Sequence, residues 1–357
     1  MSDAPDTFPS LYRDWRRIPW RSRARAAGRA ATLHALYEWL RVSGDLSRGL
    51  STPRVQFFCL HHLFPDEVDP FRTMMTELAE HFEFASWSEG IRRVIRGDTP
   101  TRPVACFSSD DGLASNLALA GVLEEFGTTG CFFINTAPLE DRSDAYAASF
   151  CRVRLQARPS RFLSSADVDA LLARGHEIGN HTATHVVCAD TPDDRLAEEI
   201  LGTRDSLQAR FGPVLHFAWP YGQYSHFSEL ARALVFESGH VSASSVVRSS
   251  HAAAEPHTGD LCVRRDQIWA TDPIEHVLYF AARSGLDLKP NENGFPHGVL
   301  KPRFDGVSAN PSLSAWDALQ PPGADRPSRQ YAPSPRSAAL NVRRNTVRSS
   351  QADQLRT

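Results

Sequence analysis

Residues 104–112 read V-A-C-F-S-S-D-D-G, an apolar run that ends in two adjacent carboxylates and a glycine. The apolar part, residues 104–107, predicts a short buried strand. Asp110 and Asp111 then fall where this strand passes into a loop. Successive side chains of a strand point to opposite faces, so these aspartates can share one site only if the backbone bends. Gly112 supplies the conformational freedom for that bend.

A second polar cluster, G-H-E-I-G-N-H-T-A-T-H, occupies residues 175–185. His181 and His185 are four residues apart, so one turn of helix is predicted to place both rings on one side. One aspartate and two histidines form the kind of three-ligand set that holds a catalytic zinc with one position open. We therefore predict that one aspartate of the 110–111 pair is a metal ligand and that the other acts as a base.

The pattern outside these clusters alternates strands with helices, which predicts an α/β fold with a parallel sheet or barrel. Catalytic groups of such folds gather at the carboxyl ends of the strands. The aspartate pair, the histidine pair and residues 219–221 each follow a predicted strand, so we expect them to meet in one site. Residues 138–160 are polar and are predicted to be irregular.

Composition fits one large domain with appendages in a chain of 357 residues. The formal net charge of −3 gives no indication of nucleic-acid binding, and no nucleic-acid partner is predicted. The six cysteines are widely spaced, and Cys59, Cys106, Cys131 and Cys188 are expected to be buried free thiols. The first thirty residues lack the apolar core of a signal peptide, so we expect a cytoplasmic location, or the inner face of the membrane.

Three regions are predicted. Residues 1–51 form a basic helical arm that carries arginines together with Trp15 and Trp20; it either packs on the domain or lies on an anionic membrane surface. Residues 52–288 form the α/β domain. Residues 289–357 are rich in proline, serine and arginine without periodicity and are predicted to be a disordered tail.

These motifs together resemble the polysaccharide deacetylases of the NodB-homology type, carbohydrate esterase family 4. The family motif T-F-D-D-G is matched by S-S-D-D-G at residues 108–112, and H-[ST]-x-x-H by H-T-A-T-H at residues 181–185. The third motif is matched by F-A-W-P-Y-G at residues 217–222. The opening C-L-H-H-L is similar to the first strand end of the family, with His61 in the histidine position.

The resemblance implies a deformed (β/α) barrel with fewer than eight strands. It implies a divalent metal on Asp111, His181 and His185, with Asp110 as the general base. The implied reaction is hydrolysis of an N-acetyl group from an amino-sugar glycan or glycolipid-linked sugar, with release of acetate. Zinc is the metal expected from the ligand types, and cobalt or nickel would accept the same set.

Several motif positions depart from the family pattern. Ala218 stands where many members have the arginine that steadies the base, so Arg264 or Arg265 is predicted to take that role. The late L-x-H motif that usually supplies the acid is not identifiable, because His276 falls in a predicted helix. His61 is the remaining candidate acid.

The aromatic third motif has two interpretations. Trp219, Pro220 and Tyr221 either line the substrate pocket or belong to the core. A metallopeptidase is disfavoured, because Thr182 occupies the position next to the first histidine where that class needs glutamate. The remaining alternative is a catalytically silent barrel that binds glycan or scaffolds a polysaccharide biosynthesis complex.

Overall fold

The centre of the molecule is one sheet whose strands pair in parallel. The structure, a computed structural model, describes residues 8–15, 20–141, 143–290 and 292–300. Its strands are β1 (Val55–Leu60), β2 (Glu83–Phe84), β3 (Val104–Ser109), β4 (Gly130–Ile134), β5 (Glu177–Asn180), β6 (His216–Ala218), β7 (Ser242–Ser244), β8 (Cys262–Val263) and β9 (Arg265–Gln267). They are ordered β8-β7-β6-β5-β4-β3-β1-β9, and β2 pairs with the start of β3.

The two ends of this sheet are joined by one short segment. β8 pairs with β7, β9 pairs with β1, and only Arg264 separates β8 from β9. Residues 262–267 therefore connect the first and last strands of the order, and the sheet curls into a nearly closed barrel. The predicted deformed (β/α) barrel is confirmed, but the expectation of fewer than eight strands is wrong, because the sheet of the described residues has nine strands.

Helices surround the barrel. They are α1 (Tyr12–Trp15), α2 (Trp20–Ser43), α3 (Asp45–Ser51), α4 (Val68–His81), α5 (Trp87–Arg96), α6 (Asn116–Glu125), α7 (Ala137–Glu140), α8 (Asp144–Phe150), α9 (Ser165–Ala173), α10 (Asp193–Ala197), α11 (Thr203–Phe211), α12 (Glu229–Glu237) and α13 (Ile274–Leu286). Single 3₁₀ turns are Pro65–Glu67, Cys188–Asp190 and Tyr224–His226, and π-helical turns are Cys151–Leu155 and Glu198–Gly202. None of the described helices is long and apolar enough to cross a bilayer.

The sequence explains why these elements form. β1, β3 and β4 are buried along their whole length, which is why they read as continuous apolar runs. α4 buries one face at helical spacing through Phe71, Met74, Met75 and Leu78. All six cysteines are buried free thiols, which confirms the prediction for Cys59, Cys106, Cys131 and Cys188.

The prediction that residues 138–160 are irregular is wrong for most of that segment. α7, α8 and a π turn occupy residues 137–155 apart from 141–143. The Ser143 side chain caps α8 by accepting a hydrogen bond from Tyr146 N, and Ala147 and Phe150 are buried three residues apart. The apolar spacing is too short to stand out among the surrounding polar residues.

The N-terminal arm packs on the barrel along one side. Leu33 and Leu40 of α2 belong to the same core cluster as Ala281 and Ala282 of α13. Trp39, on the outer side, is 63% exposed. Contact of the arm with a membrane stays a prediction, as do the predicted region boundaries. Residues 301–357, the bulk of the predicted tail, lie outside the described residues.

Candidate metal centre

The predicted site residues directly follow the ends of four barrel strands. His61 follows β1, Asp110 and Asp111 follow β3, His181 follows β5, and Trp219 follows β6. Parallel strands of a barrel end at the same rim, so these residues lie at one mouth of the barrel. The structure thus brings the two polar clusters together, although about seventy residues separate them in the sequence.

The backbone bends sharply after β3, as the aspartate pair requires. Asp111 has φ of 72° and Gly112 has φ of 68°, so the left-handed conformation begins at the aspartate itself. At Gly112 a Cβ atom would lie 2.8 Å from Ile134 Cγ2. Gly112 therefore serves both the turn and the close packing against β4.

Asp111, His181 and His185 form a compact cluster of ligand atoms. The Nε2 atoms of His181 and His185 lie 3.4 and 3.3 Å from Asp111 Oδ1. All three residues are at most 6% exposed. The Asp111 Oδ1 atom is buried and accepts no hydrogen bond from the part of the chain that the structure describes. A buried carboxylate oxygen between two imidazole nitrogens fits a divalent cation.

Main-chain carbonyls fix the orientation of both rings. The Nδ1 atom of His181 lies 2.8 Å from the Ala218 carbonyl oxygen, and that of His185 lies 3.2 Å from the Arg154 carbonyl oxygen. A carbonyl only accepts, so each Nδ1 carries the hydrogen, and each neutral ring turns its Nε2 lone pair towards Asp111. The residues present therefore fit a metal with one oxygen and two nitrogen ligands.

The segment that carries the two histidines is a loop, so the predicted helical turn is wrong. Thr182 and His185 adopt left-handed φ values of 65° and 53°. Asn135, directly after β4, donates from Nδ2 to the carbonyl oxygens of His181 and Thr182 at 2.6 and 3.1 Å. The rings meet because this loop is bound by its neighbours, not because of helical spacing.

The charges around the cluster shift the pKa values of its two histidines in opposite directions. Burial lowers the pKa of His185 to about 4, so this ring is neutral at physiological pH. Burial also lowers the pKa of His181, but the carboxylates of Asp111 and Asp110 outweigh it and hold that pKa above its ordinary value. A proton and a metal cation therefore compete for the space between His181 and Asp111.

Asp110 is held by a buried arginine. Arg265 Nη1 and Nη2 donate to Asp110 Oδ1 and Oδ2 at 2.7 and 2.8 Å, and Arg265 is 0% exposed. Arg265 also donates to the Ser245 carbonyl oxygen and to Ser108 Oγ. Burial raises the pKa of Asp110, but Arg265 and the nearby histidines outweigh it, so the pKa lies below its ordinary value. Asp110 is therefore ionised at neutral pH.

Arg264, the other predicted partner of the base, points elsewhere. Its guanidinium donates to Tyr224 Oη and to the carbonyl oxygens of Glu292 and Gly294. Of the two adjacent arginines, the structure brings only Arg265 to Asp110. Neighbouring residues of an extended segment face opposite sides, which is why one of them suits the role and the other does not.

His61 lies beside Asp110 at the same mouth. One ring nitrogen of His61, the Cys59 thiol and an Asp110 oxygen lie within 4.8 Å of one another. This second cluster is a poor metal site, because both Asp110 oxygens bind Arg265 and burial raises the pKa of the Cys59 thiol far above its ordinary value. His61 remains close enough to share the chemistry of the site.

The three residues of the aromatic motif take different positions. Trp219 is 0% exposed, donates to the Gln223 carbonyl oxygen and stacks on Phe227 at 4.5 Å, which places it in the core. Pro220 is also buried. Tyr221 is half-buried, lies 4.7 Å from the His185 ring and donates from Oη to the Arg154 carbonyl oxygen at 2.8 Å. Tyr221 thus contacts the ligand cluster through the His185 ring.

Sequence reasoning missed Asn135, Arg154 and Glu199, which support the histidine loop. Arg154 acts through its carbonyl oxygen, for which the side chain gives no signal. Glu199 does leave a trace, because it falls on the apolar face of the helical pattern that includes Leu196, Ile200 and Leu207.

β9 also buries Asp266, which has a measurable consequence. Asp266 Oδ2 accepts a hydrogen bond from Gln56 Nε2 at 3.1 Å, and burial raises the Asp266 pKa to about 6. A raised folded-state pKa contributes stability at low pH that is lost as pH rises from about 4 through about 6. We expect Asp266→Asn to gain stability relative to the wild type between about pH 4.5 and about pH 7, measured by urea unfolding. A pH-independent difference would contradict this.

Comparison with known proteins supports the fold and family. Residues 97–237 match the family model of polysaccharide deacetylases. The Streptococcus pyogenes deacetylase PplD, in complex with acetate, is 16% identical with a TM-score of 0.51, over 64% of this chain and 99% of that chain. IcaB from Ammonifex degensii is 14% identical with a TM-score of 0.52, over 65% of this chain and 98% of that chain. No curated protein sequence matches.

The matched range contains Asp110, Asp111, His181 and His185, whereas His61 and Arg265 lie outside it. The structural likeness, at these identities, shows a shared fold over about two thirds of this chain, a larger share than the matched range. The family match of residues 97–237 and the barrel fold agree: this part of the chain is similar to the polysaccharide deacetylases.

Proposed function

We propose that this chain is a metal-dependent hydrolase that removes N-acetyl groups from an amino-sugar glycan or a glycolipid-linked sugar and releases acetate. The observation that carries the proposal is the Asp111, His181 and His185 cluster, with the ionised Asp110 carboxylate next to it. PplD, which shares the fold, is itself a deacetylase with acetate bound. The proposed substrate class follows from the family.

The roles of the side chains follow from their positions. Asp111, His181 and His185 would hold the cation, and zinc suits their ligand types, with cobalt or nickel as alternatives. When bound, the cation would polarise the acetyl carbonyl and make a water molecule more acidic. Asp110 would accept the proton of the attacking water, while Arg265 keeps its carboxylate ionised and oriented.

His61 is the group best placed to protonate the departing amine. Burial lowers its pKa, despite the nearby carboxylates, and its Nδ1 accepts or donates no hydrogen bond within the described residues. A lowered pKa leaves this ring mostly neutral at neutral pH, so His61 would first take up the proton that Asp110 accepts from the attacking water and then donate it to the leaving amine. Tyr221, next to His185, would form part of the wall around the acetyl group.

The test is acetate release from N-acetylglucosamine oligomers, measured with the metal-free protein and after addition of zinc, cobalt or nickel. We expect activity with at least one metal, loss of activity on chelation, and recovery when the metal is restored. His181→Ala should release no acetate under any of these conditions. Metal-independent release would contradict the assigned site.

The silent-barrel alternative has two observations in its favour. Ala218 replaces the arginine of the family motif, and the late histidine motif is not identifiable. The first departure is offset, because Arg265 reaches Asp110 from β9. Tight metal binding without acetate release from any substrate of an N-acetylated glycan panel would favour the silent barrel. Separately, a cytoplasmic location of this chain, or one at the inner face of the membrane, stays a proposal.

A further inference from the structure

Two π-helical turns of the described chain lie against the loop that carries His181 and His185. They are Cys151–Leu155 and Glu198–Gly202. Turns of this kind are rare, occur mostly as single turns, and are frequent at functional sites. Each of the two supplies hydrogen-bonding groups to the histidine loop or to residues beside it. Both turns therefore help to hold this loop in place.

The first turn contacts His185 directly. The Arg154 carbonyl oxygen accepts from His185 Nδ1 and from Tyr221 Oη. The chain leaves this turn through Gln156, whose φ is 52°. The carbonyl at the end of the turn thus connects a metal-ligand ring to the tyrosine beside it.

The second turn holds both ends of the loop. Glu199 is 2% exposed; its Oε2 accepts from Thr184 N at 2.8 Å and its Oε1 accepts from Thr184 Oγ1 at 2.6 Å. The next residue, Ile200, accepts at its carbonyl from Asn180 Nδ2 at 2.9 Å, and Asn180 Oδ1 accepts from Thr182 N at 2.9 Å. The loop between Asn180 and Thr184 is therefore held at each end by adjacent residues of one turn.

The negative charge of the buried Glu199 carboxylate is compensated by a neighbouring arginine. Arg195, one turn earlier, donates from Nη2 to Glu199 Oε1 at 3.1 Å and compensates the buried carboxylate. The loop needs such support, because a left-handed φ at Thr182 and at His185 is unfavourable for residues other than glycine. A carboxylate that accepts two hydrogen bonds from Thr184 restricts the backbone immediately before His185.

We propose that Glu199 is a positioning residue for the metal centre: by binding Thr184 it holds His185 in the geometry that a cation needs. The proposal rests on the proposed function of this site. It differs from a general role in folding, because it predicts a loss of metal affinity in a protein that remains folded.

The experiment compares Glu199→Ala with Glu198→Ala, an exposed glutamate of the same turn that serves as the matched control. Zinc affinity of the metal-free protein is measured by competition with a chromophoric chelator, and folding is checked by circular dichroism and Tm. We expect Glu199→Ala to weaken zinc binding by about 10- to 100-fold. Glu198→Ala should bind like the wild type, and the cobalt absorption spectrum should change only in Glu199→Ala.

Two further variants keep the test decisive. Glu199→Gln can still accept from Thr184 N and can donate to Thr184 Oγ1, so it should recover most of the affinity. Thr184→Val removes the hydroxyl bond with little change of shape and should weaken zinc binding several-fold. If Glu199→Ala fails to fold and Thr184→Val binds zinc like the wild type, the inference is overturned.

The outcome also separates this inference from the proposed function. Folded Glu199→Ala protein with wild-type zinc affinity would overturn the positioning role and leave the metal centre standing. A wild-type protein that binds no divalent metal would overturn both.

Discussion

Asp110→Asn is expected to lower acetate release by about 100- to 10,000-fold, the usual contribution of a general base, while zinc stays bound. The amide has the size of the carboxylate but cannot take a proton from water. Asp110 lies outside the ligand cluster, and both of its oxygens face Arg265, so the metal ligands keep their positions. The measurements are kcat for acetate release and zinc content after gel filtration.

Asp111→Asn is the matched comparison, because it makes the same change one residue later. It removes charge from the oxygen that lies 3.4 and 3.3 Å from the two histidine nitrogens, so it should lose zinc as well as activity. The roles would be reversed if Asp110→Asn protein lost its zinc and Asp111→Asn protein kept it. Circular dichroism of both variants shows whether either change acts through unfolding.

Much of the barrel could be predicted from the sequence, because parallel strands buried on both faces leave long apolar runs. Residues 104–107 and 55–60 are of this kind, and β3 and β1 form there. The shared mouth could be predicted as well, because polar residues follow each run. The closure of the barrel could not, since β8 and β9 are two and three residues long and show no clear periodicity.

The sequence predicts the part of the candidate site that consists of side chains. The pattern places Asp110, Asp111, His181 and His185 together, but it cannot choose between Arg264 and Arg265, because the choice depends on which side of a short strand faces inward. It also cannot detect support from main-chain carbonyls, such as that of Arg154 to His185. Trp219 lies in the core because it stacks on Phe227, a contact that the sequence motif does not reveal.

The bend at Asp111 explains how two neighbouring carboxylates can do different work. On a straight strand Asp110 and Asp111 would face opposite sides, and one would leave the site. With the left-handed backbone at Asp111, both stay at the mouth, yet each meets a different partner. Asp110 meets a guanidinium, and Asp111 meets two imidazoles, so these surroundings support the proposed roles of Asp110 as the base and Asp111 as the ligand.

Arg265→Met is expected to destabilise the metal-free protein by about 3–5 kcal/mol, because it leaves the Asp110 carboxylate buried without its counter-ion. Methionine fills much of the arginine volume, so the cavity contribution is small. The free energy of unfolding is measured in urea. The control is Arg283→Met, whose side chain is 50% exposed and pairs at 2.8 Å with the 65% exposed Asp287, and which should cost about 0–1 kcal/mol.

The double variant Arg265→Met with Asp110→Asn isolates the ion pair. If the loss in Arg265→Met arises from the unpaired carboxylate, replacing that carboxylate with a neutral amide removes the cause, and the double variant should be more stable than Arg265→Met alone.

The same reasoning applies to Asp110 in the enzyme reaction. Without the guanidinium its pKa rises, so residual activity of Arg265→Met should decline at a higher pH on acidification than that of the wild type. Strictly additive stability losses would show that Arg265 supports the barrel through Ser245 and Phe133 instead of through Asp110.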